Sequence, residues 1–597
     1  MNSLTDYLIS APLSALLTII SGLSMALFFD YVGRKIFKND TAIFRAMYFF
    51  TGLLLISWLI WIVCLLQIAS IILFKSLLWG IIASAFYLVI TQKTLSFFNK
   101  PDRPFLNGTK SKYLDFYLFC ILLFISSCFS ILGLTVPTDS DSLSYHLAVP
   151  VEILKNGSLL FNKDNLHFRM LGFGEMLNLL GLANGCPQIG GFIQCIALLH
   201  VFNASASVIT SSQRLNLITL YLSIPTLLFL VPNQKHQLTG ILATSACFLF
   251  LTQPIIFTSA SLTLFLSVMF FAAGIKYSFL LSAVALIIFL LLKTSKAITP
   301  GKLIFHLTLL GAIVLLPQFI LKWYYFGDPL SPLLERFSVQ KDPVIVKLHT
   351  YIKNYRESPY PFPLNLILVT SLGRISTVIG IAAIIPVLLL FSPKRFKREL
   401  IAIIFLIVMT IIFGQVSARF LMEPVFWSIP LFMTVYGDHR YFKYLIFTAR
   451  LQLLIILPLV LIGIYNLAPS VLTNTLRYEV MLRSSNGYAE SVWINDVLPA
   501  NARIAIADKS RAFLPRAYFP WEYLFFSTMS DKKEAIQLDY KLRHQYKTEY
   551  LILPKQGFDE IKNKYAGTIV AGPKTFYLAT RNPLNRTKYE MVIYKMK

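Results

Sequence analysis

Long apolar runs separated by short connections make up most of the sequence as far as residue 466. A transmembrane helix needs about 20 mostly apolar residues, and many of these runs approach that length. The pattern therefore predicts a polytopic α-helical membrane protein with about fourteen transmembrane helices, although residues 238–273 can be divided in more than one way. The predicted helices lie at about 8–29, 47–70, 72–92, 114–135, 188–210, 216–231, 238–252, 254–273, 277–292, 303–321, 364–391, 399–414, 420–436 and 443–466.

Basic residues are concentrated in alternate connections between these runs. This distribution is typical of cytoplasmic loops, which carry an excess of lysine and arginine. With the N-terminus outside, the long loops at 136–187 and 322–363 and the tail from about residue 467 all lie on the far side. The short external turns carry little more than Lys75, Lys235 and Lys276. The predicted cytoplasmic connections carry Arg34, Lys35, Lys38, Arg45, Lys93, Lys100, Arg103, Lys110, Lys112, Arg214, Lys293, Lys296, Lys302, Lys394, Arg395, Lys397, Arg398, Arg440 and Lys443.

The tail has a different pattern from the rest of the chain. Short apolar segments rich in β-branched and aromatic residues predict strands, and two polar segments between them predict helices. The tail is therefore expected to be a small α/β extracytoplasmic domain of about 130 residues, which is large enough for a core of its own. The aromatic segment 515–526 is expected to be a packed core strand, with contact to the membrane or the acceptor as the alternative. The other predicted strands lie at 502–507, 549–554, 567–572, 576–581 and 589–594, and the helices at 531–546 and 558–566.

The composition agrees with a membrane protein. Of 597 residues, 56% are hydrophobic and only 14% are charged, and the mean hydropathy is +0.65. Soluble domains carry about 25% charged residues. A net charge of +25 would favour a nucleic acid partner in a soluble protein, but here the basic residues mostly lie in short connections. No nucleic acid partner is expected, and the six cysteines, all in or beside apolar stretches, indicate no disulfide framework.

One polar stretch follows the end of a predicted helix. The segment "TDSDSLSYHLAVP" (138–150) places Asp139 and Asp141 at the outer membrane surface. A carboxylate there can stay ionised, while apolar surroundings can raise its pKa into the range of a general base. The simpler alternative is that both acids are solvated, with Asp139 or Ser140 capping the next helix. The residues that follow are amphipathic and are expected to lie along the interface, which keeps the acids near the bilayer.

Four polar or mixed stretches recur at the ends of the predicted helices. They are "DSDSLSYHLAVPVEILKNGSLLF" after the helix 114–135, "AAGIKYSFLLSAVALIIFLLL" (272–292), "LKWYYFGDPLSPL" (321–333) and "GQVSARFLMEPVFWSIPL" (414–431). In this order they resemble motifs of the GT-C superfamily of integral-membrane glycosyltransferases, and they are similar to bacterial relatives of protein mannosyltransferases and of the lipid A aminoarabinose transferase. The resemblance covers about residues 114–466 and implies that a sugar is taken from a polyprenyl-phosphate carrier.

The resemblance implies roles for individual residues. Asp141 is the expected general base, and Asp139 is expected to position it or to bind a divalent cation. Arg419 is expected to bind the carrier phosphate, because a guanidinium presents two aligned donors. The candidates for substrate or phosphate contact are His146, Arg419, Lys276, Asp328, Arg169 and Tyr145, with His167 close to Arg169 in the sequence.

Each candidate also has a plainer explanation. Arg419 and Lys276 are equally consistent with basic side chains that extend from a helix end to the interface. Asp328, which stands where relatives often have asparagine, is most simply a turn residue beside a proline. Lys322 is expected to anchor its segment at the interface together with neighbouring aromatic residues. Glu175 is an acid within an apolar stretch, a position where ionisable residues are often functional, and it is equally consistent with an acid that simply faces the external cavity.

The sequence therefore predicts a membrane glycosyltransferase with three parts. These are extra transmembrane helices (1–113), a GT-C-like core (114–466) and the tail (467–597). The expected partners are a polyprenyl-phosphate-sugar donor, a lipid or glycan acceptor and the membrane, which is expected to be the bacterial inner membrane. A transporter or flippase for lipid-linked sugars, a glycan polymerase or ligase, and a structural scaffold are the alternatives. A transporter typically has ionisable residues or broken helices near mid-membrane, often in paired halves.

Overall fold

The protein is described by a computed structural model, which is mostly helical and ends in a small sheet. Parts of the predictions fall outside the described residues. They are the basic connections at 93–111, 295–298, 392–395 and 438–441, residues 160–163 of the first external loop, residues 332–342 and 355–357 of the second, residues 414–415 of the stretch 414–431 and residues 579–581 of the strand predicted at 576–581. The structure describes residues 3–92, 112–159, 164–254, 257–294, 299–331, 343–354, 358–391, 396–413, 416–437, 442–508, 510–527, 529, 531–578 and 586–597.

The helices preceding the tail are numbered here in chain order. A π-helical turn, Ser142–His146, precedes the helix Ala148–Asn156. A run of short helical turns from residue 372 surrounds the helix Ile385–Leu388. The helices are α1 Ala11–Phe37, α2 Ala42–Leu65, α3 Ile71–Gln92, α4 Lys112–Gly133, α5 Ala148–Asn156, α6 Phe173–Ala183, α7 Ile189–Ser207, α8 Arg214–Leu222, α9 Leu227–Leu230, α10 Gln237–Thr252, α11 Ser259–Ile275, α12 Leu280–Thr294, α13 Pro300–Val314, α14 Leu316–Phe326, α15 Pro343–Asn354, α16 Ile385–Leu388, α17 Lys397–Ile412, α18 Ala418–Tyr436 and α19 Phe442–Leu467.

Among the described residues, seven helical segments are long and apolar enough to span a membrane. They are α1, α2, α3, α4, α7, the segment Leu372–Phe391 and α19. Helices α13 and α14 meet at an angle of 52° and give an eighth span if they are counted together. The predicted count of about fourteen is not confirmed by these lengths.

Several predicted spans are shorter or interrupted in the structure. The predicted helix 216–231 is divided between α8 and α9, and Pro225 lies in the break. Proline lacks a backbone N–H and its ring clashes with the preceding turn, so it interrupts a helix. Helices α10, α11 and α12 form where they are expected, but they have 16, 17 and 15 residues. A straight helix of that length covers about 24 Å at 1.5 Å per residue, less than a 30 Å hydrocarbon core.

The helical part packs around α7. The apolar window of α7 is 89% buried within the protein, whereas that of α3 is only 22% buried, so α7 is central and α3 peripheral. Small residues bring α1 and α2 close together. A Cβ atom built on Gly52 would lie 2.0 Å from the Phe29 ring, and one on Gly33 would lie 2.1 Å from the Tyr48 ring. Membrane helices commonly use glycine in this way to let backbones approach.

The tail contains a five-stranded mixed sheet with strand order β2-β1-β3-β5-β4. Strand β1 is parallel to β2 and β3, while β3–β5 and β5–β4 are antiparallel pairs. A small C-terminal sheet is present as predicted, but two details differ. The two strands predicted at 567–572 and 576–581 are one continuous strand, β4, as far as Leu578, and the aromatic segment 515–526 gives only the short strand β2 and a helix. The elements are α20 Asn474–Ser484, α21 Tyr488–Val497, β1 Ile504–Ile506, β2 Tyr518–Phe519, α22 Trp521–Phe526, α23 Lys532–Tyr540, β3 Tyr550–Pro554, α24 Asp559–Tyr565, β4 Ala566–Leu578 and β5 Thr587–Met596.

Both faces of this sheet are covered. Successive side chains of a strand point to opposite faces, and in β3 Leu551 and Leu553 pack in one cluster while Ile552 packs in another. The first cluster also includes Val344 of α15, which lies in the second external loop. The tail sheet is therefore packed against a segment from the membrane part of the chain.

The tail also contacts the start of the chain and the loop after α4. The Asn486 N–H donates to the carbonyl of Thr138 at 3.2 Å, and the Leu4 N–H donates to the carbonyl of Ala512 at 2.8 Å. Three distant parts of the sequence therefore meet on one side of the helical part. This is the side on which α4 ends and the acidic stretch begins.

Candidate active site

The acidic stretch forms a short, irregular helical turn. After α4, a first turn contains Ser140 and Asp141, and the chain then continues as the π-helical turn Ser142–His146. The Ser142 N–H donates to Oδ1 of Asp139 at 2.8 Å, so Asp139 caps this turn, but it is buried and not solvated as the simpler alternative predicts. Burial raises the pKa of Asp139 above its ordinary value. A π-helical turn inserted in a helix is often found at functional sites.

Asp141 is held by two cations from distant parts of the chain. Its Oδ2 atom lies 3.0 Å from Nζ of Lys235 and 3.8 Å from Nη1 of Arg419. The Lys235 side chain is 5% exposed, whereas that of Asp141 is 22% exposed and can be reached from outside. Lys235 precedes α10, and Arg419 lies in the first turn of α18. Opposite charges within about 4 to 6 Å stabilise an ionised carboxylate.

A third basic side chain lies in the same group. Nζ of Lys276 lies 4.7 Å above the ring of Phe420, and the guanidinium of Arg419 lies 5.0 Å from the same ring. Burial, together with the charges of Lys235 and Arg419, lowers the pKa of Lys276 well below its ordinary value. Like charges held near one another in this way favour an anionic ligand, because an anion relieves their repulsion.

His146 and Glu175 form a buried pair beside these charges. Nδ1 of His146 lies 2.5 Å from Oε1 of Glu175, and the other carboxylate oxygen accepts the Gly172 N–H at 2.7 Å. The backbone of His146 is fixed as well, because its carbonyl accepts from Nδ2 of Asn178 at 3.0 Å. Nε2 of His146 is buried and has no hydrogen-bond partner among the described residues. A carboxylate on one ring nitrogen fixes the imidazole tautomer and leaves the other nitrogen for proton transfer.

Tyr145 connects this turn to the tail. Its ring stacks on that of His167 with centroids 4.8 Å apart and an angle of 5° between the planes. On the other side, His167 contacts Arg511 and Glu522 of the tail. Burial raises the pKa of Tyr145 well above its ordinary value, so the phenol is a neutral hydrogen-bond group at physiological pH.

The remaining candidates lie around α14. The guanidinium of Arg169 lies 4.6 Å from the ring centroid of Phe326, and Nζ of Lys322 lies 4.0 Å from that of Tyr277. Lys322 is 1% exposed and is not a solvated interfacial anchor as the sequence led us to expect, because its charge is covered by the Tyr277 ring. Oδ1 of Asp328 accepts the Leu330 N–H at 2.8 Å, which is the turn role expected of an acid beside a proline.

A mostly apolar groove with a cavity volume of about 70 Å³ lies beside the acidic turn. Asp139 lies at one edge of the groove, and α4 and α19 form two of its walls. The lining residues are Leu132, Thr135, Val136, Thr138, Asp139, Leu228, Phe229, Pro232, Asn233, Ile375, Ser376, Leu459, Gly463 and Leu467. An apolar wall with a few polar groups at one edge suits an amphipathic ligand.

The part of the chain that the structure describes contains no group of three or more His, Cys, Asp and Glu side chains placed to hold a metal ion. Asp139 is a cap, and an oxygen of Asp141 faces Lys235 and Arg419, so neither acid is arranged as a ligand here. The divalent cation stays a prediction.

Sequence reasoning did not identify three of these side chains. Lys235 was interpreted only as a charge in an external turn, although "VPNQKHQL" (231–238) is a polar cluster between two apolar runs and could have indicated a site. Arg511 and Glu522 lie in the tail, and no local pattern relates them to Asp141. Their place at the site follows only from the packing of the tail.

Most residues of this site lie in a part of the chain that matches a known protein family. Residues 92–481 match the family model described as the DUF1420 N-terminal domain. The chain belongs to this family. The match includes Asp141, Lys235 and Arg419 and excludes Arg511 and Glu522. No curated protein matches the chain.

Proposed function

We propose that this DUF1420 protein is a membrane glycosyltransferase of the GT-C type. It moves a sugar from a polyprenyl-phosphate-linked donor to an extracytoplasmic acceptor, which is a lipid, a glycan or a protein. The observation that carries the proposal is the position of Asp141, partly exposed, against the buried Lys235 and close to Arg419. A proton acceptor beside cations able to hold a phosphate is what such a transfer requires.

The same ion pairs suggest how the site works. The donor phosphate competes with Asp141 for Lys235 and Arg419, and its binding frees the carboxylate. Asp141 then takes the proton of the acceptor hydroxyl, whose oxygen bonds to the anomeric carbon as the bond from that carbon to the phosphate oxygen breaks. The electron pair leaves with the phosphate, and the two cations with Lys276 stabilise its charge. One displacement of this kind inverts the anomeric configuration.

Two further features support a lipid-linked substrate and proton transfer. The apolar groove beside Asp139 offers an apolar wall to the isoprenoid chain of the carrier, and the phosphate goes to Lys235 and Arg419 at Asp141. His146, with Nδ1 on Glu175 and Nε2 without a partner among the described residues, is a second group for hydrogen bonding to substrate. Tyr145 is a neutral donor beside it.

The topology belongs to the same proposal. We place the protein in the bacterial inner membrane with about fourteen membrane crossings, some of them made by helices shorter than a regular span, and with the tail outside the cell membrane. The concentration of basic residues in alternate connections supports this orientation. Contacts of the tail with Thr138 and with Leu143 of the acidic turn support a common side of the membrane for the tail and the proposed site.

A transporter for lipid-linked sugars is the second candidate. The bend of 52° between α13 and α14 favours it, because broken helices commonly line transport sites. The two functions differ in their product. A transporter forms no glycosidic bond, so purified protein in liposomes with a lipid-linked sugar and an acceptor would give no new glycan.

The replacement Asp141→Asn tests the enzymatic proposal. It keeps the shape of the side chain and removes its capacity to accept a proton, so we expect at least a 100-fold loss of product. The measurement is mass spectrometry of lipids and glycans from cells that lack the protein and are complemented with each variant. Asp559→Asn is the matched control, because the side chain of Asp559 is 82% exposed in the tail. Normal product from the Asp141→Asn variant at equal protein abundance would exclude Asp141 as the base.

A further inference from the structure

The acidic turn departs from α-helical hydrogen bonding at one carbonyl. In an α-helix the Leu147 N–H would donate to the carbonyl of Leu143, four residues earlier. Here it donates to the carbonyl of Ser142 at 2.9 Å, five residues earlier, which is the π-helical pattern. The carbonyl of Leu143 is thus released from the helix.

The tail supplies the partners of that carbonyl. The Arg511 and Ala512 N–H groups both donate to the carbonyl of Leu143, at 3.2 Å and 3.0 Å. The neighbouring hydroxyls of Ser510 and Ser140 lie 3.2 Å apart and form a further contact. Because a buried carbonyl without a partner is costly, the two tail amides stabilise the π-helical form over the α-helical form.

A set of buried side chains reinforces the same contact. Nη2 of Arg511 lies 2.8 Å from Nδ1 of His167 and 3.6 Å from Oε1 of Glu522, and this oxygen lies 3.1 Å from the same ring nitrogen. The three side chains are at most 8% exposed. Charges this deeply buried must remain paired, so the arrangement resists displacement. Through the stacked ring of His167, it also fixes the orientation of Tyr145.

We propose that the tail is a positioning element of the active site. Its amides at Arg511 and Ala512 hold the turn Ser142–His146 in π-helical form, and the pair of Arg511 with Glu522 holds Tyr145 through His167. The inserted residue of a π-helical turn rotates the side chains before it by about 100° relative to those after it, one α-helical residue step. The tail therefore sets the direction of Asp141 relative to the helix that follows. The catalytic consequence rests on the proposed function, whereas the effect on the turn does not.

The tail makes another buried ion pair that serves as a control. Lys541 pairs with Asp164, and Oη of Tyr546 lies 3.0 Å from Oδ2 of the same acid. Like the Arg511 contact, this pair joins the tail to the first external loop, but it does not involve the turn that carries Asp141. Loss of the Lys541 charge tests the effect of weakening the tail contact in general.

The experiment measures backbone hydrogen exchange of residues 141–148 in the full-length protein in nanodiscs. Arg511→Met is expected to raise exchange in this segment at least tenfold, and Lys541→Met is expected to leave it within twofold. Arg511→Lys, which retains a charge for Glu522, should restore part of the protection. Unchanged exchange in Arg511→Met, or an equal rise in Lys541→Met, would overturn the proposal.

A second variant covers the case in which Arg511→Met does not fold. His167→Ala leaves the buried pair of Arg511 and Glu522 in place and removes the ring on which Tyr145 stacks. The ¹⁹F signal of 3-fluorotyrosine at position 145 should shift and broaden, and an unchanged signal would argue against the side-chain part of the proposal. Neither measurement uses sugar transfer, so failure of the glycosyltransferase assignment leaves both results interpretable. Where transfer is observed, Arg511→Met should lower kcat at least tenfold and leave KM for the donor within twofold. The reason is that Arg511 is not one of the side chains proposed to hold the phosphate, which are Lys235, Arg419 and Lys276.

Discussion

Replacement of Lys235 by methionine tests the phosphate site most directly. The change keeps the length of the side chain and removes the charge that lies 3.0 Å from Asp141. At this separation the gross attraction is about 1.4 kcal/mol in water and about 5.5 kcal/mol at an effective dielectric constant of 20. A hydrogen bond to a charged group contributes about 1.5 to 3 kcal/mol net. Because Lys235 is nearly buried, we expect the dissociation constant of a phosphate ligand to rise by about 10- to 100-fold.

The assay is a titration of a polyprenyl monophosphate into the purified protein in nanodiscs. Lys555→Met is the matched control, because Lys555 forms an ion pair with Glu590 at a similar distance, 2.9 Å, but is 53% exposed on the tail. The control should bind like the wild-type protein. If Lys235→Met binds within twofold of wild type, or if Lys555→Met loses as much affinity, Lys235 does not hold the phosphate.

Two predictions concern stability. Gly52→Ala should destabilise the helical part by about 1 to 3 kcal/mol, seen as a lower Tm in detergent, because its Cβ would lie 2.0 Å from the Phe29 ring. Gly80→Ala, with no atom within 4 Å of its Cβ, should leave the Tm unchanged or raise it. Burial raises the pKa of Glu490 in the tail to about 7, with a smaller contribution from Asp508. The folded tail therefore keeps a proton that the unfolded chain releases above about pH 4.5, so unfolding followed by near-UV circular dichroism should show about 3 kcal/mol less stability at pH 7.5 than at pH 4.5. The Glu490→Gln variant should not show this pH dependence. If its stability fell by the same amount between pH 4.5 and pH 7.5, Glu490 would not be the group that titrates.

Part of the fold could be predicted because it depends on local pattern. Uninterrupted apolar runs of about 20 residues give α1, α2, α4 and α19 close to the expected positions. The strands at 504–506, 550–554 and 587–596 follow from short β-rich segments. The sequence predicted the helix bounds less well where a run contains a break. Pro225 interrupts one run, and a bend separates α13 from α14. Hydropathy alone does not show whether such pieces cross the bilayer.

The site was predictable only in outline. The acidic stretch was identified from its polar residues at the end of a helix and Arg419 from the resemblance. The structure places Asp141 and Arg419 3.8 Å apart, while their chemical roles stay predictions. Lys235 pairs with an acid 94 residues away in the sequence, and such pairing is fixed by tertiary packing, not by spacing. The π-helical turn depends on amides supplied by the tail, more than 360 residues from Leu143. No local pattern encodes a backbone hydrogen bond donated from so far along the chain.

The hydrogen bond from Leu4 to the carbonyl of Ala512 also constrains how the chain threads the bilayer. Leu4, Leu143 and Ala512 pack in one buried apolar cluster, so they lie together on one side of the helical part. A chain that leaves this side and returns to it crosses the bilayer an even number of times, and the four candidate spans α1 to α4 between Leu4 and Leu143 agree with this. The same reasoning predicts an even number of crossings between Leu143 and the tail.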